Sequence, residues 1–237
     1  MHKINPFLSV KKVFFFLWLI PLYVNGQDSS GCFTYTLSAE LVSKYMWRGV
    51  ELSNAPNIQP TATLNYKDFY FGFWGSSPLQ AGGSHEADLV LGWQGKYWGF
   101  CLTDYFVMDH SIERNYYFDW SENKTNHDLS LDITFPGTDK IPFRALAAFN
   151  FYGLDKQHSR YYEVAWMFTK DEFEGEIFAG GTDHEGWYGS YEGVVNTGIM
   201  LKKSIKITDK YRLPLFTRLI VNPQKENVYL VLGLKFE

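Results

Sequence analysis

SKYMWRGVELSNAP, residues 43–56, sets an aromatic pair, Tyr45 and Trp47, against Lys44, Met46 and Arg48, then runs through Gly49 into a stretch that ends at Pro56. Alternation of period two marks a strand with two unlike faces. In a soluble sandwich the apolar face fades before the turn, whereas here it ends in a tryptophan. Aromatic residues at strand ends are typical of membrane barrels, where the rings sit at headgroup level with their polar edges in the interface. The expectation is a spanning strand with Tyr45 and Trp47 in an aromatic girdle, Lys44 and Arg48 pointing into a lumen, and residues 48–56 forming an outer loop.

The same period continues along the chain. Ile58, Pro60, Ala62, Leu64 and Tyr66 alternate with Gln59, Thr61, Thr63 and Asn65; Leu129, Leu131, Ile133 and Phe135 alternate with Asp128, Ser130, Asp132 and Thr134. The sequence predicts twelve strands, near 34–47, 57–66, 69–76, 85–95, 98–106, 127–135, 143–152, 159–169, 173–181, 191–203, 212–221 and 228–236. Tight connections, such as Lys67-Asp68 and Lys96-Tyr97, alternate with longer ones at 48–56, 77–84, 107–126, 153–158, 182–190 and 222–227. An even number of strands about ten residues long, with short turns on one side and long loops on the other, is the pattern of an all-β, transmembrane antiparallel β-barrel of the outer membrane. Residues 115–120, NYYFDW, could either lengthen a strand or plug the mouth.

Upstream, Lys3, Lys11 and Lys12 flank an apolar run from Val13 to Val24 that has the length of a signal-peptide core and is too short for a comfortable spanning helix. Cleavage is expected between Gly26 and Gln27, leaving a barrel domain over 27–237. Removing three lysines and no acids from 22 bases and 26 acids leaves 22 − 3 = 19 bases, a formal charge of 19 − 26 = −7. Nucleic acid is therefore not an expected partner, because phosphate binding needs a basic footprint. Two cysteines, Cys32 and Cys101, do not define a disulfide framework.

AELVSKYMWRGVELSNAPNIQPTATLNY, residues 39–66, resembles the N-terminal signature of the TorF-type porins, also called the Gcw_chp family. The resemblance is carried by Ser43, Lys44, Tyr45, Trp47, Arg48, Gly49, Ser53, Pro56 and Gln59. Weaker similarity continues at 85–93 and 194–205. The resemblance implies an outer-membrane barrel that forms a channel, and it brings no catalytic residues and no established substrate.

The chain has no GxSxG elbow, HExxH, CxxC, GxGxxG or P-loop. Asp109-His110 and Asp183-His184 in the outer loops would be the acid–base pairs of an omptin-like hydrolase. Such neighbours are common in polar loops, and general-base work needs converging geometry. No enzyme activity, cofactor or metal is expected. Alternation assigns Glu40, Lys44, Arg48, Glu86, Asp88, Asp128, Asp132, Arg144, Glu163, Glu174, Glu176, Glu192, Lys202, Arg212, Arg218 and Lys235 to the lumen. A base at the lipid midplane would cost about 2 to 4 kcal/mol. The expected function is a narrow porin-like channel for small polar or charged solutes, with an outer mouth favourable to cations and a basic inner rim. A closed structural or adhesion barrel with a plugged lumen is the alternative. The expected partners are outer-membrane lipid, the barrel-assembly machinery and a small polar solute.

Overall fold

The computed structural model describes residues 33–81, 83–108, 115–121 and 125–237. The expected signal peptide, its cleavage site, Cys32 and Asp109-His110 lie outside the described residues. Wall strands are β1 (Thr34–Val42), β4 (Asn57–Tyr66), β5 (Phe69–Pro78), β6 (His85–Gln94), β7 (Gly99–Met108), β8 (His127–Phe135), β9 (Phe143–Gly153), β10 (Arg160–Lys170), β11 (Phe173–Thr182), β12 (Gly193–Lys206), β13 (Arg212–Asn222) and β14 (Asn227–Phe236). Between β1 and β4 the chain makes two further short strands, β2 (Tyr45–Trp47) and β3 (Val50–Ser53), which pair only with each other.

The twelve wall strands close into one antiparallel barrel in which every strand neighbours the next, with β1 joining β14. Alternation decides which way each side chain points. Leu37 and Leu64 are 64% and 47% exposed, and Phe71, Leu91, Val164, Ile177 and Leu230 are exposed in the same register on their own strands. Their neighbours Val42, Phe178, Ile220, Tyr229 and Val231 are buried inside. An apolar belt that runs around the outside of a closed sheet has no stable counterpart in water and suits hydrocarbon. The architecture fits an outer-membrane protein.

Two sequence expectations fail here. The first strand does not run from 34 to 47: it leaves the wall after Val42, and Ser43-Lys44 bend the chain inward. Tyr45 and Trp47 are consequently not girdle residues. Tyr45 is buried against Trp74, and Trp47 lies among Tyr105, Trp187 and Tyr188. Residues 48–56 are therefore half of an internal hairpin and its return to the wall, because Val42 pairs directly with Asn57.

Residues 115–120 neither extend a strand nor enter the mouth. They fold back over the outside of the wall, where alternation places Asp104, Phe106 and His127 facing outward. Trp120 stacks on the His127 ring at 3.8 Å, the Tyr117 carbonyl lies 2.6 Å from Nε2, and Asp104 lies 2.7 Å from Nδ1. The loop thus supplies the cover that this polar pair needs on an otherwise apolar face.

Candidate functional site: a lumen divided by a hairpin

The site starts from a two-residue turn. Arg48 and Gly49 both have positive φ, at 50° and 83°, the backbone that a type I′ hairpin requires because its twist matches the flanking strands. Pairing of Tyr45 with Ser53, Met46 with Glu51 and Trp47 with Val50 carries the hairpin across the lumen. Gly49 is required for space as well as conformation: a Cβ there would lie 2.2 Å from the Val195 carbonyl oxygen of β12.

Anchors on both sides hold the hairpin tip. The Gly49 carbonyl accepts a hydrogen bond from Asn222 Nδ2 at 2.9 Å. Arg48 Nη2 donates to Asp132 Oδ2 at 2.5 Å and Nη1 to the Tyr188 hydroxyl at 2.6 Å. Its guanidinium also lies over the rings of Trp47, Tyr161 and Tyr188 at 5.2 to 5.5 Å. In a poorly hydrated interior such contacts reach about 2 kcal/mol each. Lys44, at the hairpin's base, pairs with Glu51 at 2.6 Å and lies over Tyr229. Tyr188 comes from an outer loop, where burial pushes its phenol up to about 12 against the opposing pull of Arg48, so it acts as a neutral hydroxyl.

The hairpin divides the lumen into two cavities. One, of about 490 Å³, is lined by Glu40, Val42, Lys44, Thr61, Thr63, Trp74, Asp88, Cys101, Phe216 and Arg218 among others. The other, of about 280 Å³, is lined by Arg48, Arg144, Glu163, Glu176, Asn196 and Arg218. Met46, Trp47 and Arg218 border both cavities.

The structure gathers the charges expected in the lumen into pairs. Arg144 bridges Glu163 at 2.8 Å and Glu176 at 3.2 Å, and Lys202 pairs with Glu174 at 3.3 Å. Lys235 pairs with Glu237, and Arg212 donates to the Ser204 carbonyl. Asp128 is buried and accepts the Asp155 backbone N–H, while Asp88 accepts that of Phe106. Glu86 hydrogen-bonds Tyr45 and Asp88 deep beside the hairpin. Glu192 precedes β12 and is exposed in an outer connection. Of the lumen-facing bases among the described residues, Arg212 and Arg218 alone have no carboxylate within ion-pairing distance.

Asp183 and His184 lie in an exposed outer loop with Arg160, whose Nε is 3.1 Å from Asp183 Oδ1. Burial alone would raise the Asp183 carboxyl, but the bond from His184 and the charge of Arg160 outweigh it and hold the group below the usual carboxylate range.

A family model described as a bacterial protein of unknown function (Gcw_chp) matches residues 26–179. The chain belongs to the Gcw_chp family. No curated protein and no solved structure matches it. In this Gcw_chp chain the matched stretch includes the whole hairpin, its partner Asp132 and the Arg144–Glu163–Glu176 group, and it ends within β11. The remaining anchors, Tyr188, Val195 and Asn222, lie beyond it.

Three features had no usable signal in the sequence. Tyr188 and Asn222 are loop-side residues whose role depends on where the hairpin tip lands. The Arg48–Asp132 pair joins positions 84 apart, and alternation shows that both face inward but not that they meet.

Proposed function

We propose that this protein is an outer-membrane barrel that conducts small polar or charged solutes along a narrow path through its lumen, with hairpin β2–β3 as the constriction. The supporting observation is the arrangement of two lumen cavities that share Met46, Trp47 and Arg218 in their lining. The resemblance of residues 39–66 to the TorF-type porins favours the same reading, and the belt of exposed apolar side chains favours placement in the bacterial outer membrane.

The charge placement changes the expected selectivity. An outer mouth favourable to cations and a basic inner rim require free charges in those places. Glu86 and Asp88 are instead packed with Tyr45, and at the rim Lys202 and Lys235 are paired, which leaves Arg212 as the base there without a carboxylate. Arg218, which borders both cavities without a carboxylate in ion-pairing distance, is the fixed charge common to the two, with Glu40 further along the larger cavity. A fixed charge in a narrow pore concentrates the opposite ion, so the path favours small anions.

The anchoring of the hairpin supports a second reading, a barrel closed for structural or adhesive ends. Planar-bilayer recording in a salt gradient separates the two. The channel reading expects small conductance steps and a reversal potential on the anion side that moves toward zero in Arg218→Gln. Folded protein that gives no steps favours the closed barrel.

A further inference from the structure

The barrel wall is not equally continuous all the way round. Eleven neighbouring strand pairs are joined over seven to ten residue pairs, whereas β1 and β14 share four, from Ala39–Phe236 to Val42–Gly233. One further contact follows: Ser43 N–H donates to the Leu232 carbonyl at 2.8 Å, and Leu232 N–H to Ser43 Oγ at 3.0 Å. Beyond it the chain turns inward as the hairpin, so β14 from Asn227 to Val231 has no β1 partner in the sheet. The wall resumes on the far side at Pro56 and Leu79, joined by the Leu79 N–H to the Pro56 carbonyl. This leaves a notch on the side of the long loops.

Cavities reach the notch from both faces. Outside, a groove of about 710 Å³ is lined by Leu41, Leu79, Leu201, Leu215, Leu232 and Leu234, and it extends to Pro56, Val42 and Ser43. Inside, the larger lumen cavity also touches Val42 and Phe216. Val42 and Phe216 line both cavities, with Ser43 on the outer one and Lys44 at the base of the hairpin on the inner one. That inner cavity is divided by chemistry: Val42, Met46, Trp74, Phe216 and Val231 make an apolar side, while Arg218, the acids Glu40 and Asp88, Lys44 in its pair with Glu51, Thr61 and Gln59 supply charge and hydrogen bonds. About 490 Å³ is within the range of small-molecule sites.

We infer that the β1–β14 seam is a lateral portal between the bilayer and the lumen, and that the larger lumen cavity takes a single-chain amphiphile with a polar head. The occupant follows from the surroundings. A groove walled by leucines at the hydrocarbon level is filled by alkyl chains, since no other solvent is present there. An alkyl chain that passes the seam keeps apolar contact with Val42 and Phe216. Its polar head then reaches Arg218, Glu40, Thr61 and Gln59, which can hydrogen-bond it away from hydrocarbon. The inference rests on the reading that the barrel spans a bilayer with a hydrated lumen, and it adds a sideways route to the axial one.

Cys101 provides a native reporter, because its thiol lies on the wall of that cavity, 3.6 Å from Thr103 Oγ1. The experiment uses the mature chain carrying Cys32→Ser in phosphatidylcholine vesicles, with modification of Cys101 read by peptide mass. N-dodecylmaleimide dissolved in the lipid probes the portal, and a sulfonated maleimide in the aqueous phase probes the axial path. Ser43→Cys with Leu232→Cys then locks the seam, since directly opposed residues of an antiparallel pair suit disulfide geometry. The expected result is modification of Cys101 by the lipid-borne reagent, slowed at least tenfold by the oxidised lock and restored by reductant, with the aqueous rate unchanged. A lipid-borne rate that ignores the lock overturns the portal, and so does the absence of lipid-borne modification in the unlocked chain. Aqueous modification and conductance without lipid-borne modification defeat the portal and leave the channel standing. Lipid-borne modification without conductance does the reverse, and modification by neither reagent rejects both.

Discussion

Replacing Arg48 with Met should release the tip of the hairpin, and the structure sets the scale of the effect. Arg48 and Asp132 have side chains only 10% and 17% exposed, joined at 2.5 Å, and the Tyr188 hydroxyl takes the second Nη hydrogen at 2.6 Å. Removing one member of such a pair leaves the other charge stranded, which costs about 3 to 5 kcal/mol. Met is the informative replacement because it keeps much of the volume and, like Arg, carries a Cβ at a φ of 50°, so backbone strain is unchanged. Asp132 would keep a single weak contact, Ser130 Oγ at 3.3 Å. Removing both charges, with Arg48→Met and Asp132→Leu together, should cost less than the sum of the single changes by about 1 to 3 kcal/mol, since neither charge is then stranded. Urea titration of protein refolded into vesicles measures all three variants, and bilayer recording of Arg48→Met should show larger or noisier steps as the hairpin loosens. A loss below about 1 kcal/mol, or strictly additive losses with unchanged conductance, would refute the claim that Arg48 pins the constriction.

Leu64→Arg should destabilise the barrel by about 2 to 4 kcal/mol more than Thr63→Arg, because Leu64 faces outward at 47% exposure while Thr63 lines the lumen; equal losses in the same titration would mean that the faces are reversed. Acid should remove the contribution of the Asp183 cluster. Its folded carboxyl titrates below the unfolded value of about 3.9, so the stability is present above that pH and is lost as pH falls through the lower folded value. The gap between wild type and Asp183→Asn should be small, below about 1 kcal/mol for an exposed pair, and should close as pH falls from 5 to 2; a gap that widens on acidification would contradict the sign.

The barrel wall could be read from the sequence because its two solvents differ. An apolar outer face and a polar lumen force period-two patterns such as Ile58 to Tyr66, and the wall strands after the first fall close to their expected positions. The hairpin escaped because Tyr45 and Trp47 continue the phase of β1, so nothing in the alternation marks the point where the chain leaves the wall. Strands of three and four residues are too short to show a period of their own, and Arg48-Gly49 lacks the Asn-Gly or Asp-Gly signature of a type I′ turn. Lumen-facing charges followed from parity, but their partners did not. Which carboxylate meets Arg144 or Arg48 depends on register summed around the closed sheet. Asp104 and His127 escaped for a different reason: they break the apolar rule of the outer face, and only a loop folding back from 115–120 makes that break tolerable.

Because Val42 pairs with Asn57, the chain leaves the wall and re-enters it at almost the same place. The fourteen residues between are a detour whose two ends are already neighbours. Such an insert can be exchanged by evolution, or excised by an engineer and replaced with a short turn, without altering the register of any wall strand. Wall and hairpin can therefore diversify separately: the wall is held to the register that closes the barrel, while the hairpin is free to change what fills the lumen.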